Sequence, residues 1–389
     1  MNQTERKALM TSAFVEYFSE TPVLWTQAPG RVDLMGSHTD YNMGYVMTMT
    51  IDRNTWIAAG PRSDRQVRIR SLNVAGESSF SLDRVTRDEQ FPWSNYVRGV
   101  ALMLQQAGYS LQGFDGLIHS NVPFGSGLSS SAALEMATAV LFQETSGFEL
   151  DPVVMAQIGQ KAENEFVGVS TGILDQYSSA MGRAGSALQL DCRHLTSENV
   201  RIHPDLSVVI CDTRAERSLV GSEYDDRRRE CEEGVRILQQ HDPDIQALRD
   251  VNPAQFDAFA AYLPATVANR CRFVVEENQR VLNLAPALTA GNHETLAKLF
   301  ADSYTGARDM YEIGAPSMEA MIEAMRSGPG VVAARQTGAG FGGCMVALVQ
   351  NGFVEAFSDY VASAYKKTTG IQPRIFDITA SPGAGPLAV

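Results

Sequence analysis

Apolar and polar positions alternate through the first part of the chain. Between Val23 and Leu82 the pieces "VLWT", "YVMTMTI", "TWIAAG" and "QVRIRSL" are separated by Gly, Pro, Asn and Asp, which predicts short strands joined by turns. The period then changes. "YVRGVALMLQQAG" predicts an amphipathic helix ended by Gly108, "GLIHSNV" a strand, and residues 129–145 and 152–166 two further helices. "SALQLDCR" and "LSVVICDT" read as strands on either side of a boundary near residues 193–205. The second half is richer in helix, with periodic runs at 222–240, 266–283, 292–304 and 316–326 and strands at "GVVAARQT", "CMVALVQ" and "PRIFDIT". Helices and strands mix in both halves, an α+β pattern, and the tail "SPGAGPLAV" predicts a frayed or loosely docked end.

A chain of 389 residues exceeds one compact core, so two domains are expected, residues 1–200 and 201–389. The formal charge of −13 argues against nucleic acid or an anionic membrane as partner, without forbidding a small anion held by local cations. Cys192, Cys211, Cys231, Cys271 and Cys344 are widely spaced and form no C-x-x-C pair, so neither a disulfide framework nor a zinc site is indicated. "MNQTERKALM" has no apolar leader core and no long apolar run follows, which leads us to expect a soluble, cytoplasmic protein.

"VPFGSGLSSSAALEMATAV", residues 122–140, carries the first chemistry. Small, flexible residues precede three serines and an alanine-rich helical run. A helix N-terminus has unpaired N–H groups and partial positive charge, and glycines let the backbone close around an oxyanion, so the pattern suits phosphate. A flexible turn with a serine N-cap fits the same residues when they are taken alone. No lysine follows Gly127, which disfavours a Walker loop, and "GLSSS" lacks the closing glycine of a nucleophile elbow. Gly338, Gly340 and Gly343 match G-x-G-x-x-G, but the strand-like "CMVALVQ" follows where a dinucleotide site needs a helix.

"PFGSGLSSSAA" resembles the nucleotide-binding motif of the GHMP family of small-molecule kinases, and "APGRVDLMGSHTDYNMGYV" resembles the signature of its galactokinase branch. "TGAGFGGC", residues 337–344, is similar to the third family motif, a glycine-rich loop supporting the nucleotide site. "TGILDQYSSAMG" and "SEYDDRRRECEE" extend the match, in order, over residues 25 to about 345. The resemblance implies a two-domain α+β GHMP kinase fold with the active site in the interdomain cleft. It implies an ATP- and Mg²⁺-dependent sugar 1-kinase, a galactokinase or a galacturonokinase-like enzyme, with oligomeric state open and a monomer plausible.

By the same resemblance the loop residues Gly125, Ser126, Gly127, Leu128, Ser129, Ser130 and Ser131 would cradle the nucleotide phosphates. Ser130 and Glu163 would hold Mg²⁺, with Ser131 the competitor for the metal. Asp175 would be the catalytic base. Arg31 would pair with it and offset charge developing on the transferred phosphoryl group. Ser37, His38, Asp40 and Tyr224 would line the sugar pocket, Asp40 accepting two sugar hydroxyls. Galactokinases carry glutamate where this chain has Ser37, a residue that contacts the 6-hydroxyl of the sugar, and asparagine where it has Asp33. Loss of that glutamate points to a changed C6, with galacturonate first, L-arabinose next and galactose retained through Asp40, His38 and Tyr224. Some relatives are non-catalytic sugar sensors, but such a sensor can lose the loop or the base, and here both are present together with Arg31.

Overall fold

The computed structural model describes residues 1–215 and 220–387. Helix α1 (Gln3–Phe18) opens on a capping box, in which Asn2 and Glu5 each bond the other's backbone amide. The apolar pattern does not announce it, because only Arg6, Met10 and Phe14 are buried along its length. Strand β1 (Leu24–Met35) runs on from "VLWT" through "APGRVDLM". Strand β2 (Tyr45–Pro61) joins "YVMTMTI" and "TWIAAG" into one strand, and the polar residues between them lie opposite Gly30, where the β1–β2 pairing is bulged.

Next come β3 (Gln66–Ser71), β4 (Glu77–Ser81), α2 (Asn95–Gln106) and β5 (Phe114–Ser120). Helix α3 (Ser130–Ser146) follows the serine loop, and α4 (Pro152–Lys161) passes directly into a π-helical turn, Ala162–Val167. The short helix α5 (Leu174–Met181) and the hairpin β6 (Ser186–Asp191) and β7 (Thr196–Arg201) complete the first part. Among the described residues one sheet runs β12-β1-β2-β5-β3-β4, where β12 is the short terminal strand Gly385–Pro386, with β6 on β2 and β7 on β6.

The second part begins with β8 (Leu206–Asp212) and continues through α6 (Val220–Leu238), α7 (Pro253–Phe259), α8 (Ala265–Ala290), α9 (His293–Asp309) and α10 (Pro316–Arg326). It ends with β9 (Val331–Gln336), β10 (Cys344–Gln350), α11 (Val354–Thr369) and β11 (Arg374–Ile378). Its antiparallel sheet has the order β11-β8-β10-β9. Period-two alternation gives that sheet two cores: Val208, Ile210, Val346 and Leu348 face one, while Val209, Cys211, Met345 and Ala347 face another shared with α10 and α11.

Val32 and Leu34 of β1 join Val346 and Leu348 in the core between the two sheets, together with Leu284 of α8 and Phe300 of α9. Alternation therefore turns Arg31 and Asp33 to the opposite face of β1, where the cleft lies. The tail departs from the expectation of a frayed end over residues 381–387; residues 388–389 lie outside the described residues. Ser381 bonds Thr50 and Ile51, Gly383 and Ala384 bond the end of α5, and β12 (Gly385–Pro386) pairs with β1. Backbone pairing holds this Gly/Pro-rich segment where side-chain burial could not.

Gly30 touches the serine loop: a Cβ there would stand 2.5 Å from the Leu128 carbonyl oxygen, which accepts the Arg31 amide at 3.1 Å. Gly30→Ala is expected to destabilise the protein by about 1–3 kcal/mol, because backbone cannot yield as a side chain does. Denaturant unfolding checks this. An unchanged midpoint would mean that the loop moves away freely.

Candidate active site

Five segments converge on one cleft of about 310 Å³, of a size to enclose one small polar ligand. Strand β1 supplies Arg31 and Asp33, and the turn after it supplies Ser37, His38 and Asp40. The segment from the π-helical turn to α5 supplies Thr171, Gly172 and Asp175, α6 supplies Tyr224, and the loop between β9 and β10 supplies Gly338 and Ala339. All six sugar-site and catalytic residues expected from the sequence line this one cleft. The serine loop borders it through Arg31 and Asp175.

Arg31 is almost fully buried, whereas the Asp175 side chain keeps 23% of its surface exposed, so a substrate can reach it. The guanidinium donates Nε–H to Asp175 Oδ1 at 2.8 Å, and Nη2 donates to the same oxygen. Its Nη1 donates to the Gly127 carbonyl at 2.6 Å. Ser129 stands at the N-cap of α3 but in the left-handed region, φ +60°, and its hydroxyl donates to Asp175 Oδ2 at 2.6 Å instead of capping the helix. The first amides of α3 thus have no side-chain cap and remain a site for an anion.

Glu163 lies in the π-helical turn, a distortion common at functional sites. Its Oε2 accepts from Gln176 at 2.7 Å and Thr171 at 3.1 Å. Burial, then the charge of Asp175, push its carboxyl up; the hydroxyl of Ser131 is among the groups that favour the charged form. One carboxylate beside a serine hydroxyl near an uncapped helix start is an oxygen donor set that suits Mg²⁺, which takes most of its other ligands from phosphate and water. Among the described residues no group of three or more His, Cys, Asp or Glu forms a protein-only metal site. On the outer side of the serine loop a second groove, about 590 Å³, is lined by Asn73, Phe124, Ser126, Arg214 and Arg374 among others.

His38 is held on both ring nitrogens. Nε2 meets the Ala339 carbonyl at 2.9 Å, so it carries the proton, and Nδ1 accepts from the Tyr41 hydroxyl at 2.8 Å. Tyr41 in turn meets Tyr311 at 2.7 Å. Burial pulls the imidazole down to about 4, so it is neutral at physiological pH. It therefore lines the cleft with no ring nitrogen free, its bond to Ala339 clamping the turn after β1 to the glycine-rich loop. That loop also braces the serine loop, since the Cys344 amide donates to the Ser126 carbonyl at 3.1 Å.

Ser37 lines the cleft, but its hydroxyl donates to Asp33 Oδ2 at 2.7 Å and accepts from Arg335 at 2.9 Å. Arg335 also reaches Glu277, which pairs with Arg280 at 2.6 Å and accepts from the Gly36 amide and Ser303. Burial pushes Glu277 up, but Arg280, Arg335 and these hydrogen bonds outweigh it and hold the carboxyl below its ordinary range. Local sequence reading misses this network because its members are drawn from distant parts of the chain, Ser37 and Arg335 being 298 residues apart. A lone arginine inside the apolar strand "GVVAARQT" was its one visible sign.

Three family models match the chain: a galactokinase galactose-binding signature at residues 12–61, a GHMP kinase N-terminal domain at 95–183 and a GHMP kinase C-terminal domain at 284–367. The chain is 44% identical to a galactokinase of Roseiflexus sp. over 96% of its length and 95% of the relative's. It belongs to the galactokinase branch of the GHMP kinases. A galactokinase of Chloroflexus aurantiacus is 42% identical over the same shares of the two chains. The solved structure of Lactococcus lactis galactokinase complexed with galactose superimposes with a TM-score of 0.94 at 35% identity, covering 98% of this chain and 99% of that one. A mevalonate kinase, at 17% identity and a TM-score of 0.61, shares the fold. The chain is accordingly a kinase that transfers a phosphoryl group to a sugar hydroxyl, with a mixed α+β two-domain fold. No helix among the described residues is long and apolar enough to cross a membrane.

Asp40 is pushed up to about 6, first by burial and then by the charges of Asp175 and Asp33, against a backbone hydrogen bond from Tyr41. Above that pH it is a carboxylate able to accept sugar hydroxyls; below it the proton occupies an acceptor site. kcat/KM for the sugar is expected to fall about tenfold per pH unit below pH 6, with kcat flatter because bound hydroxyls favour the charged form. A pH–rate profile flat down to pH 5 would contradict this role.

Proposed function

We propose that the chain is an ATP-dependent, Mg²⁺-requiring galactose 1-kinase that transfers the γ-phosphoryl group to the C1 hydroxyl. The observation carrying this reading is the clasp in which Arg31 joins Asp175 to the serine loop. It brings a carboxylate with surface open to the cleft beside a helix N-terminus open to phosphate. In this reading the amides of residues 125–131 hold the phosphates, and the base and ribose lie in the groove lined by Asn73, Phe124 and Arg374. Glu163 holds Mg²⁺ with Ser130; the proximity of Ser131 to Glu163 supports Ser131 as an alternative ligand. The metal would neutralise charge on the transferred group.

Asp175 accepts the proton of the C1 hydroxyl, and Arg31 fixes the orientation of its carboxylate. Asp40 and Tyr224 hold ring hydroxyls, and His38 shapes the wall. The printed names of the relatives support galactose as the sugar. The engagement of Ser37 by Asp33 and Arg335 weakens the case for galacturonate, since the serine has no free donor for a 6-carboxylate. We therefore place galactose first, L-arabinose second and galacturonate last. We keep residues 1–200 and 201–389 as the two domains, with β12 crossing back to the first, and we place the protein in the cytoplasm.

A coupled assay of ADP release across galactose, L-arabinose and galacturonate tests the substrate. Asp175→Asn preserves shape and removes the proton acceptor, so turnover should drop roughly 10²- to 10⁴-fold with nucleotide binding retained. Turnover within about threefold of the parent would remove Asp175 from the chemistry. Ser130→Ala and Ser131→Ala, titrated with Mg²⁺ side by side, identify the metal ligand as the serine whose loss raises the half-saturating concentration. Superimposable titrations would exclude both.

A further inference from the structure

Behind Glu163 lies a buried polar pair that phosphoryl transfer does not use. Glu135 of α3 and Gln176 of α5 are both fully buried. Gln176 Nε2 donates to Glu135 Oε2 at 2.8 Å and to Glu163 Oε2 at 2.7 Å, so both of its N–H groups are taken by carboxyls. The other oxygens of the pair, Glu135 Oε1 and Gln176 Oε1, are buried and have no hydrogen-bond partner among the described residues. Helix α4 packs closely over them: a Cβ at Gly159 would stand 3.0 Å from Gln176 Cγ and 3.5 Å from Glu135 Oε2.

Two orphaned acceptors in one buried pair are costly, and a single proton removes both costs. A protonated carboxyl donates from one oxygen and accepts on the other, the complement of an amide, which accepts on its oxygen and donates from its nitrogen. Glu135 Oε2 already accepts from Nε2, so a proton on Oε1 has Gln176 Oε1 as its matching acceptor. The surroundings favour that proton. Burial, then the charge of Glu163, push the Glu135 carboxyl well up; the Gln176 bond works the other way, and no cation offsets the burial. An amide paired with an acid in this manner cannot turn over. Turned, it would present its oxygen to Glu163 in place of a donor. Gln176 and Thr171 both donate to Glu163 Oε2, which leaves Oε1 to a cation.

We infer that Glu135 is a neutral acid returning its proton to Gln176 Oε1, and that the amide locked in this way orients Glu163 for Mg²⁺. Glu135 is thus a positioning residue, which acts through Gln176 and touches neither metal nor substrate. The inference rests on the reading of Glu163 as a metal ligand. A donor that cannot turn away from Oε2 fixes the plane of the Glu163 carboxylate before the metal arrives and favours its charged form. A charged Glu135 would instead add a third negative charge to those of Glu163 and Asp175.

The test reads metal affinity without turnover. Binding of Mn²⁺, a paramagnetic stand-in for Mg²⁺, is followed by electron paramagnetic resonance with a non-hydrolysable ATP analogue and no sugar, in the parent, Glu135→Gln, Glu135→Met and Gln176→Met. Glutamine keeps the donor and acceptor of a neutral acid, so Glu135→Gln should bind Mn²⁺ within about threefold of the parent. The two methionine variants, similar in size but without the polar pair, should weaken Mn²⁺ binding roughly 10- to 100-fold and leave galactose binding, read by calorimetry, unchanged. Unaltered Mn²⁺ affinity in the methionine variants overturns the inference. So does equal weakening in Glu135→Gln, which would mean that a charged carboxylate is required. Joint loss of Mn²⁺ and galactose affinity in the methionine variants would mark a merely structural role and overturns it as well. The infrared difference spectrum of the parent against Glu135→Gln near neutral pH should show the C=O band of a neutral carboxylic acid, and its absence overturns the inference whether or not the methionine variants fold. A parent that shows this band but binds no Mn²⁺ beside the analogue would instead bring down the reading of Glu163 as a metal ligand, and the positioning role with it.

Discussion

The site depends on one guanidinium. Arg31 binds a carboxylate on α5 and a carbonyl of the serine loop at once, while its own amide donates to Leu128 of the same loop. Two of these three contacts are charge-assisted, and the guanidinium that makes them is nearly excluded from water, where an unpaired charge costs most. Removing Arg31 would leave Asp175 beside Glu163 without its cation and would free the loop from β1. The distance between the Asp175 carboxylate and the serine loop is therefore set by the length of one side chain rooted in a strand, and strands hold position better than loops do.

The same strand carries a second set of buried charges. Asp33 and Glu277 are balanced by Arg335 and Arg280, and the four come from β1, α8 and β9. A buried ionic network of this kind is a poor source of stability, because desolvation consumes most of the Coulombic gain. It does impose geometry. Glu277 grips the Gly36 amide and Arg335 grips Ser37, so the turn that presents His38 and Asp40 is pinned to the second half of the chain. His38 adds a pin of its own through Ala339. This side of the cleft is thus held from both halves by polar bonds, over the apolar core that joins the two sheets.

Much of this was legible in the sequence. The strand runs, most helices of both halves and the motif order were read from period and punctuation, since amphipathic elements announce the face they bury. Helices α1, α5, α7 and α11 were not read as elements. In α5 the apolar stripe is interrupted by Asp175, Gln176 and two serines whose partners lie far away in the chain, among them Pro29 and Glu135. The strand at Gly385–Pro386 was hidden because its stability is backbone pairing with β1, which has no compositional signature. Within the site, motif residues could be named because chemistry restricts them. Neither the Asp33–Arg335 contact nor the double commitment of His38 could be named, because both are made across the fold.

Ser129 ties these levels together. A serine at a helix N-cap normally satisfies that helix, and the alanine-rich run behind it invites that reading. Here the residue is left-handed and donates to Asp175, so α3 gives up its cap and the aspartate gains a neutral donor. One backbone conformation thereby leaves the first amides of α3 uncapped and orients the carboxylate. Arg31 holds Asp175 Oδ1 and Ser129 holds Oδ2, so both oxygens are fixed before any substrate arrives. Oδ1 already accepts two bonds from Arg31, so Oδ2 is the oxygen that keeps a lone pair for a hydroxyl proton. In the proposed reading, preorganisation of this kind places the local cost of an uncapped helix where a bound phosphate would offset it, so that the loss in the empty protein would become affinity in the complex.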